Sequence, residues 1–105
     1  MNKKVIVIAL TCALAGASGV ALAGGDAAAG KAKAAMCASC HAPDGDSKVP
    51  TFPKLAGQHE AYLMDALKQY RSGARNNAMM KPMVAALTDA DLANLAAYFA
   101  TQKQK

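Results

Sequence analysis

The sequence has no tryptophan, two phenylalanines and three tyrosines, so few of the large rings that fill small cores are available. Bulky aliphatic side chains are scarce as well. From Gly24 onward, 20 alanines stand against 20 larger apolar residues, of which five are Met and two are Cys. A small domain with so little bulk is marginal by itself, which calls for something other than side chains at its centre. Strand signals are missing, since no run alternates apolar with polar residues, and there is no internal repeat or low-complexity linker. Basic residues are scattered singly rather than gathered into a stripe, which argues against nucleic acid as a partner. Three cysteines make no disulfide framework, because a bond between Cys37 and Cys40 would leave most of the chain untied.

What is present begins with an address. Lys3 and Lys4 precede a stretch from Val5 to Val20 that is apolar or small apart from Thr11, Cys12 and Ser18, and Ala21-Leu22-Ala23 fits an A-x-A cleavage site. The pattern predicts a secretory signal peptide over residues 1–23. A membrane anchor would need roughly 20 consecutive apolar residues, and Gly16, Ser18 and Gly19 interrupt this run. Thr11 is not the small Gly or Ala expected before a lipidated cysteine, so Cys12 is expected to leave with the peptide. Cleavage after Ala23 leaves one exported domain, residues 24–105, with no membrane span, and the loss of Lys3 and Lys4 lowers the net charge from +5 to +3.

That domain reads as three helices with loops between them. The first runs from about Asp26, a good N-cap, through an alanine-rich stretch to the cysteines, and Gly30 inside it points to close packing. The second covers about Gln58 to Arg71, with Leu63, Ala66, Leu67 and Tyr70 on one face and Gly73 as its stop. The third starts at Thr88, whose Thr-x-x-Asp spacing to Asp91 approximates a capping box, and Leu92, Leu95, Ala96 and Phe99 follow at helical spacing. The loop over 42–57 carries Pro43, Gly45, Pro50, Pro53 and Gly57. The loop over 74–87 carries Asn76, Asn77, Pro82 and three methionines, Met79, Met80 and Met83.

Chemistry concentrates in Cys37-Ala38-Ser39-Cys40-His41, the C-x-x-C-H pattern of covalent haem attachment. Two thiols about one helical turn apart reach the two vinyl groups of one porphyrin, and the adjacent His41 then lies under the iron. A thioredoxin-like dithiol needs a βαβ scaffold that this sequence does not show. A zinc site from Cys37, Cys40, His41 and His59 is disfavoured because consecutive Cys40 and His41 make poor tetrahedral partners, and His59 beside Glu60 reads as a surface histidine. The sixth iron position calls for a soft ligand if the potential is to be high, with Met79, Met80 and Met83 as candidates. Met36 and Met64 read as core fillers on helical faces.

The segments CASCHAPDG, FPKLAGQ and MKPMVAALTDADLANLAAYFA, in this order and spacing, resemble the class I c-type cytochromes, in particular a single-haem version of the dihaem periplasmic cytochromes c. The likeness covers essentially all of residues 24–105. It implies a small all-α fold wrapped around one covalently bound haem c. By the family's spacing to Leu87 it implies Met80 as the second axial iron ligand beside His41, with Met79, one position away, as the fallback. It implies a hydrogen bond from the Nδ1 proton of His41 to the carbonyl of Pro53, with Pro50 as the alternative, and close crossing of Gly30 with the Ala96-Ala97-Tyr98-Phe99 region.

The function implied is periplasmic transfer of single electrons by Fe(II)/Fe(III) cycling, without substrate chemistry of its own. Partners are expected among other exported or membrane-bound redox proteins, met transiently by a monomer. Lys48, Lys54 and Lys81 are candidates for steering an acidic partner, with plain solubilising charge as the alternative reading. Arg71 and Arg75 are both candidates to pair with the haem propionates. A haem enzyme with an open iron face would need a distal acid or base, and His59 is the spare histidine.

Overall fold

The structure, a computed structural model, describes residues 24–105; the expected signal peptide, residues 1–23 with Cys12, lies outside the described residues. Five α-helices follow in order: α1 Ala27–Lys33, α2 Ala38–His41, α3 Glu60–Ser72, α4 Met80–Val84 and α5 Asp89–Thr101, with a 3-10 turn at Ala34–Met36 between α1 and α2. No strand occurs among the described residues.

Local chemistry accounts for most helix ends. Asp26 caps α1 by accepting from the backbone N–H of Ala28 and Ala29. The 3-10 turn then splits the single helix expected up to the cysteines, so that Cys40 and His41 sit on their own short helix. Gly73 ends α3 in the left-handed region at φ 87, which glycine adopts without strain. Thr88 and Asp91 form a reciprocal capping box at the start of α5. The loop expected over 74–87 contains the additional helix α4. Asn77 makes it possible, since its Oδ1 accepts from the N–H of Met79 and Met80 at 2.9 Å each. Pro82 is tolerated because it falls in the first turn, where a backbone N–H has no helical partner to lose.

α1 crosses α5 closely enough that a Cβ on Gly30 would run into the Asn94 carbonyl and lie 2.8 Å from Tyr98 Cβ. The crossing is thus centred on Asn94 and Tyr98, one turn apart on the same face; Tyr98 belongs to the Ala96–Phe99 region expected, and Asn94 extends the contact one turn before it. Leu92 and Leu95 of α5 are fully buried, and Leu63, Val84, Leu87, Tyr98 and Phe99 complete the core around them. α3 packs beside α5 and α4 beside α3, leaving one flank of the core open to a cleft.

Candidate functional site

The cleft has a volume of about 290 Å³. Cys37, Cys40, His41, Pro53, Met79, Met80 and Met83 all line it, together with apolar Leu63, Leu67, Val84, Leu87, Leu95 and Phe99. Residues from α2, both loops, α3, α4 and α5 therefore converge on one apolar hollow.

His41 is 5% exposed. Its Nδ1 lies 2.8 Å from the carbonyl oxygen of Pro53, and because a carbonyl only accepts, Nδ1 carries the proton. That bond fixes the tautomer and leaves Nε2 as the ring nitrogen with a free lone pair. Phe52 stands edge-on to the imidazole at 6.2 Å between ring centres. Cys37 and Cys40 are free thiols, both half-buried; burial pushes the Cys37 thiol up, with the neighbouring Cys40 adding to the shift.

The three methionines differ in setting. Met80, first residue of α4, is half-buried and packs against the core, whereas Met79 is 61% exposed and Met83 is also exposed. His59 is exposed at the start of α3 and does not line the cleft. Among the described residues, no three His, Cys, Asp or Glu side chains gather as a metal-binding group.

The two arginines separate as well. Arg71 donates to the Leu87 carbonyl at 3.1 Å and pairs with Asp89. Arg75 lines the cleft, with its guanidinium 5.7 Å and 5.6 Å from the ring centres of Tyr62 and Tyr70. The lysines offered for steering are partly spoken for, because Lys48 and Lys54 both bind Asp46, at 2.8 Å and 2.6 Å. Neither Asp46 nor the bond from the Tyr98 hydroxyl to the Pro43 carbonyl, 2.9 Å, had a signal in the sequence. A loop aspartate and a helix tyrosine carry no periodicity that marks them as partners.

Two thiols one helical turn apart, an oriented imidazole, soft thioethers and an apolar lining with a cation beside it match a porphyrin bearing iron, two vinyl groups and two carboxylates. The family model for cytochrome c matches residues 27–103. The chain belongs to the cytochrome c family. It is 50% identical over 103 residues to cytochrome c4 of Pseudomonas aeruginosa, covering 98% of this chain and 50% of that protein. Cytochrome c-554(548) of Halomonas halodenitrificans is 45% identical over 82 residues, covering 75% of this chain and 99% of its own length. The crystal structure of reduced recombinant cytochrome c4 from Pseudomonas stutzeri superposes with a TM-score of 0.74 at 43% identity, over 77% of this chain and 47% of that one. The chain thus spans about half the length of the cytochrome c4 relatives it matches. It is a class I c-type cytochrome of the small all-α fold, similar to one half of cytochrome c4, with covalently bound haem c as its cofactor and Cys37 and Cys40 in the attachment motif.

Proposed function

We propose that this chain carries single electrons in the periplasm on one haem, joined by thioethers to Cys37 and Cys40 and ligated by His41 and Met80. The observation that carries the reading is His41 itself, a buried imidazole whose Nδ1 is bound to Pro53 at 2.8 Å and whose remaining nitrogen belongs to a cleft that Met80 also lines. The burial of Met80 against the core, beside the exposure of Met79, favours Met80 as the thioether ligand, with Met79 as the fallback.

When bound, the haem supplies an Fe(II)/Fe(III) couple. The protein's part is to hold two ligands in place through both states, keep water away and set the potential. The apolar walls exclude water and disfavour the more highly charged ferric form, and a Met thioether acts in the same direction, so a positive potential is expected. Arg75 is the better candidate to pair with a propionate, since it lines the cleft and Arg71, paired with Asp89, does not. If His41 and Met80 both ligate the iron, its two axial positions are taken, and His59, the spare histidine, lies outside the cleft lining; both support a carrier without substrate chemistry of its own.

Export rests on Lys3, Lys4, the apolar run and Ala21-Leu22-Ala23, with cleavage after Ala23 leaving residues 24–105 as the mature domain. No helix among the described residues is long and apolar enough to cross a membrane. Partners are other exported or membrane-bound redox proteins, met briefly by a monomer through small interfaces. Absorption spectra of the exported protein after acid-acetone extraction, with Met80→Ala and Met79→Ala beside wild type, test the assignment. Retained colour, with loss of the sulfur-to-iron band at the red end of the oxidised spectrum in Met80→Ala only, is the expected result. Extractable haem overturns the attachment, and loss of the band in Met79→Ala instead moves the ligand by one residue.

A further inference from the structure

Asp46 is a buried anion outside the lining of the cleft. It lies in the loop between α2 and α3, 2% exposed. Its Oδ1 accepts from Lys54 Nζ at 2.6 Å, and its Oδ2 accepts from Lys48 Nζ at 2.8 Å and from the backbone N–H of Lys105 at 2.9 Å. A carboxylate out of water persists only when paired and hydrogen-bonded, and these donors hold its carboxyl far below the usual carboxylate range, Lys48 foremost. The pairing favours its charged form, which is the form that can hold both lysines.

Its geometry suits it to a mechanical task. The carbonyl that His41 holds belongs to the peptide unit joining Pro53 to Lys54, and a peptide unit is rigid and planar. On the Lys54 side, that unit is anchored by the Lys54 side chain on Asp46 and by the N–H of Leu55 on the Gly45 carbonyl at 2.8 Å. Asp46 directly follows Gly45, so both anchors lead to the same short arm of the loop.

We propose that Asp46 is a positioning residue for His41, acting through Lys54 to aim the Pro53 carbonyl at the Nδ1 proton. The inference rests on His41 being an iron ligand, as argued above. A well-aimed carbonyl draws the Nδ1 proton, makes the imidazole a stronger donor and so favours ferric iron; slackening it raises the potential. A purely through-space role for the same charges has a different signature. Removing the positive charge of Lys54 would then lower the potential, and only removing the negative charge of Asp46 would raise it.

The test is the midpoint potential of the haem-loaded protein, with NMR-detected exchange of the His41 Nδ1 proton in the reduced state, for wild type, Asp46→Asn and Lys54→Gln. Both variants are expected to raise the potential and to speed exchange on the order of tenfold, the scale of one weakened hydrogen bond. Lys54 is partly exposed, so Lys54→Gln carries the test even if Asp46→Asn folds poorly. A lowered potential in Lys54→Gln, or exchange as slow as in wild type, overturns the positioning role. Wild-type His41 ring resonances without iron-ligand shifts overturn the ligand assignment, and this inference with it.

Discussion

Where α1 meets α5, contact is made chiefly by what is left out: Gly30 lies against the backbone of Asn94, with the Asn94 side chain accepting from the N–H of Asp26 at 2.8 Å and a looser ion pair of Lys33 with Asp91 at 3.7 Å. The loop over 42–57 is held by the opposite means. Polar ties run from Asp46 to Lys48, Lys54 and Lys105, from Gly45 to Leu55 and Ala56, from Gly57 to Phe99 and from Gln104 to Ala56. The helical crossing is specified by volume and tolerates no extra atom, whereas the loop is specified by hydrogen bonds and charge. The loop lines the cleft through Phe52, Pro53 and Leu55, and α5 lines it through Leu95 and Phe99; the two ways of holding these elements are expected to fail under different insults.

The largest effect is expected from removing the thioethers. Cys37→Ser with Cys40→Ser should abolish covalent haem and leave the chain without a cooperative thermal transition, because its few bulky residues do not fill a core unaided. A sharp calorimetric transition in that variant would show the helical frame to be self-sufficient and break the comparison at its root. Gly30→Ala comes next. Its methyl group meets backbone rather than a yielding side chain, so the crossing must open, and a loss of about 3 kcal/mol in denaturant titration of the haem-loaded protein is expected.

A smaller gain is expected on the loop side. Ala42, directly after His41, sits at φ 70 and ψ 158, a region suited to glycine. Ala42→Gly should raise stability by about 1 kcal/mol in the same titration, and a loss would show that the strain is not borne there. The smallest effect is a bias in the acid limb. The carboxyls of Asp44, Asp46, Asp89 and Asp91 are all lowered by hydrogen bonds and neighbouring cations. On acidification the unfolded chain binds protons first, so their stabilisation is present above about pH 4 and is lost as pH falls through the folded values. Asp46→Asn should flatten this limb more than Asp89→Asn, because Asp46 is buried while the Asp89 side chain is 72% exposed. Equal flattening would erase the contrast between loop and frame.

The same division explains what was legible in the sequence. Asp26, Gly73 and the Thr88/Asp91 pair act within a few residues of themselves, so their helix ends could be read directly. C-x-x-C-H is equally local, and the structure places Met79, Met80, Met83 and Pro53 in the cleft with it. α4 was hidden because its cap, Asn77, and its first-turn proline both read as loop signals. The 3-10 tightening at Ala34–Met36 had no mark in an alanine-rich stretch. Asp46, the Tyr98 hydroxyl on Pro43 and the division of labour between Arg71 and Arg75 depend on partners far along the chain, and no spacing rule reaches them.

The Asp26 to Asn94 contact also orders events during synthesis. Its two residues are 68 positions apart, so α1 finds its counterpart only once the residues through α5 have emerged. Cys37, Cys40 and His41 come out long before that, on a chain that still lacks α5. Until α5 forms, the segment that carries them has no α5 core of Leu92, Leu95 and Phe99 to pack against.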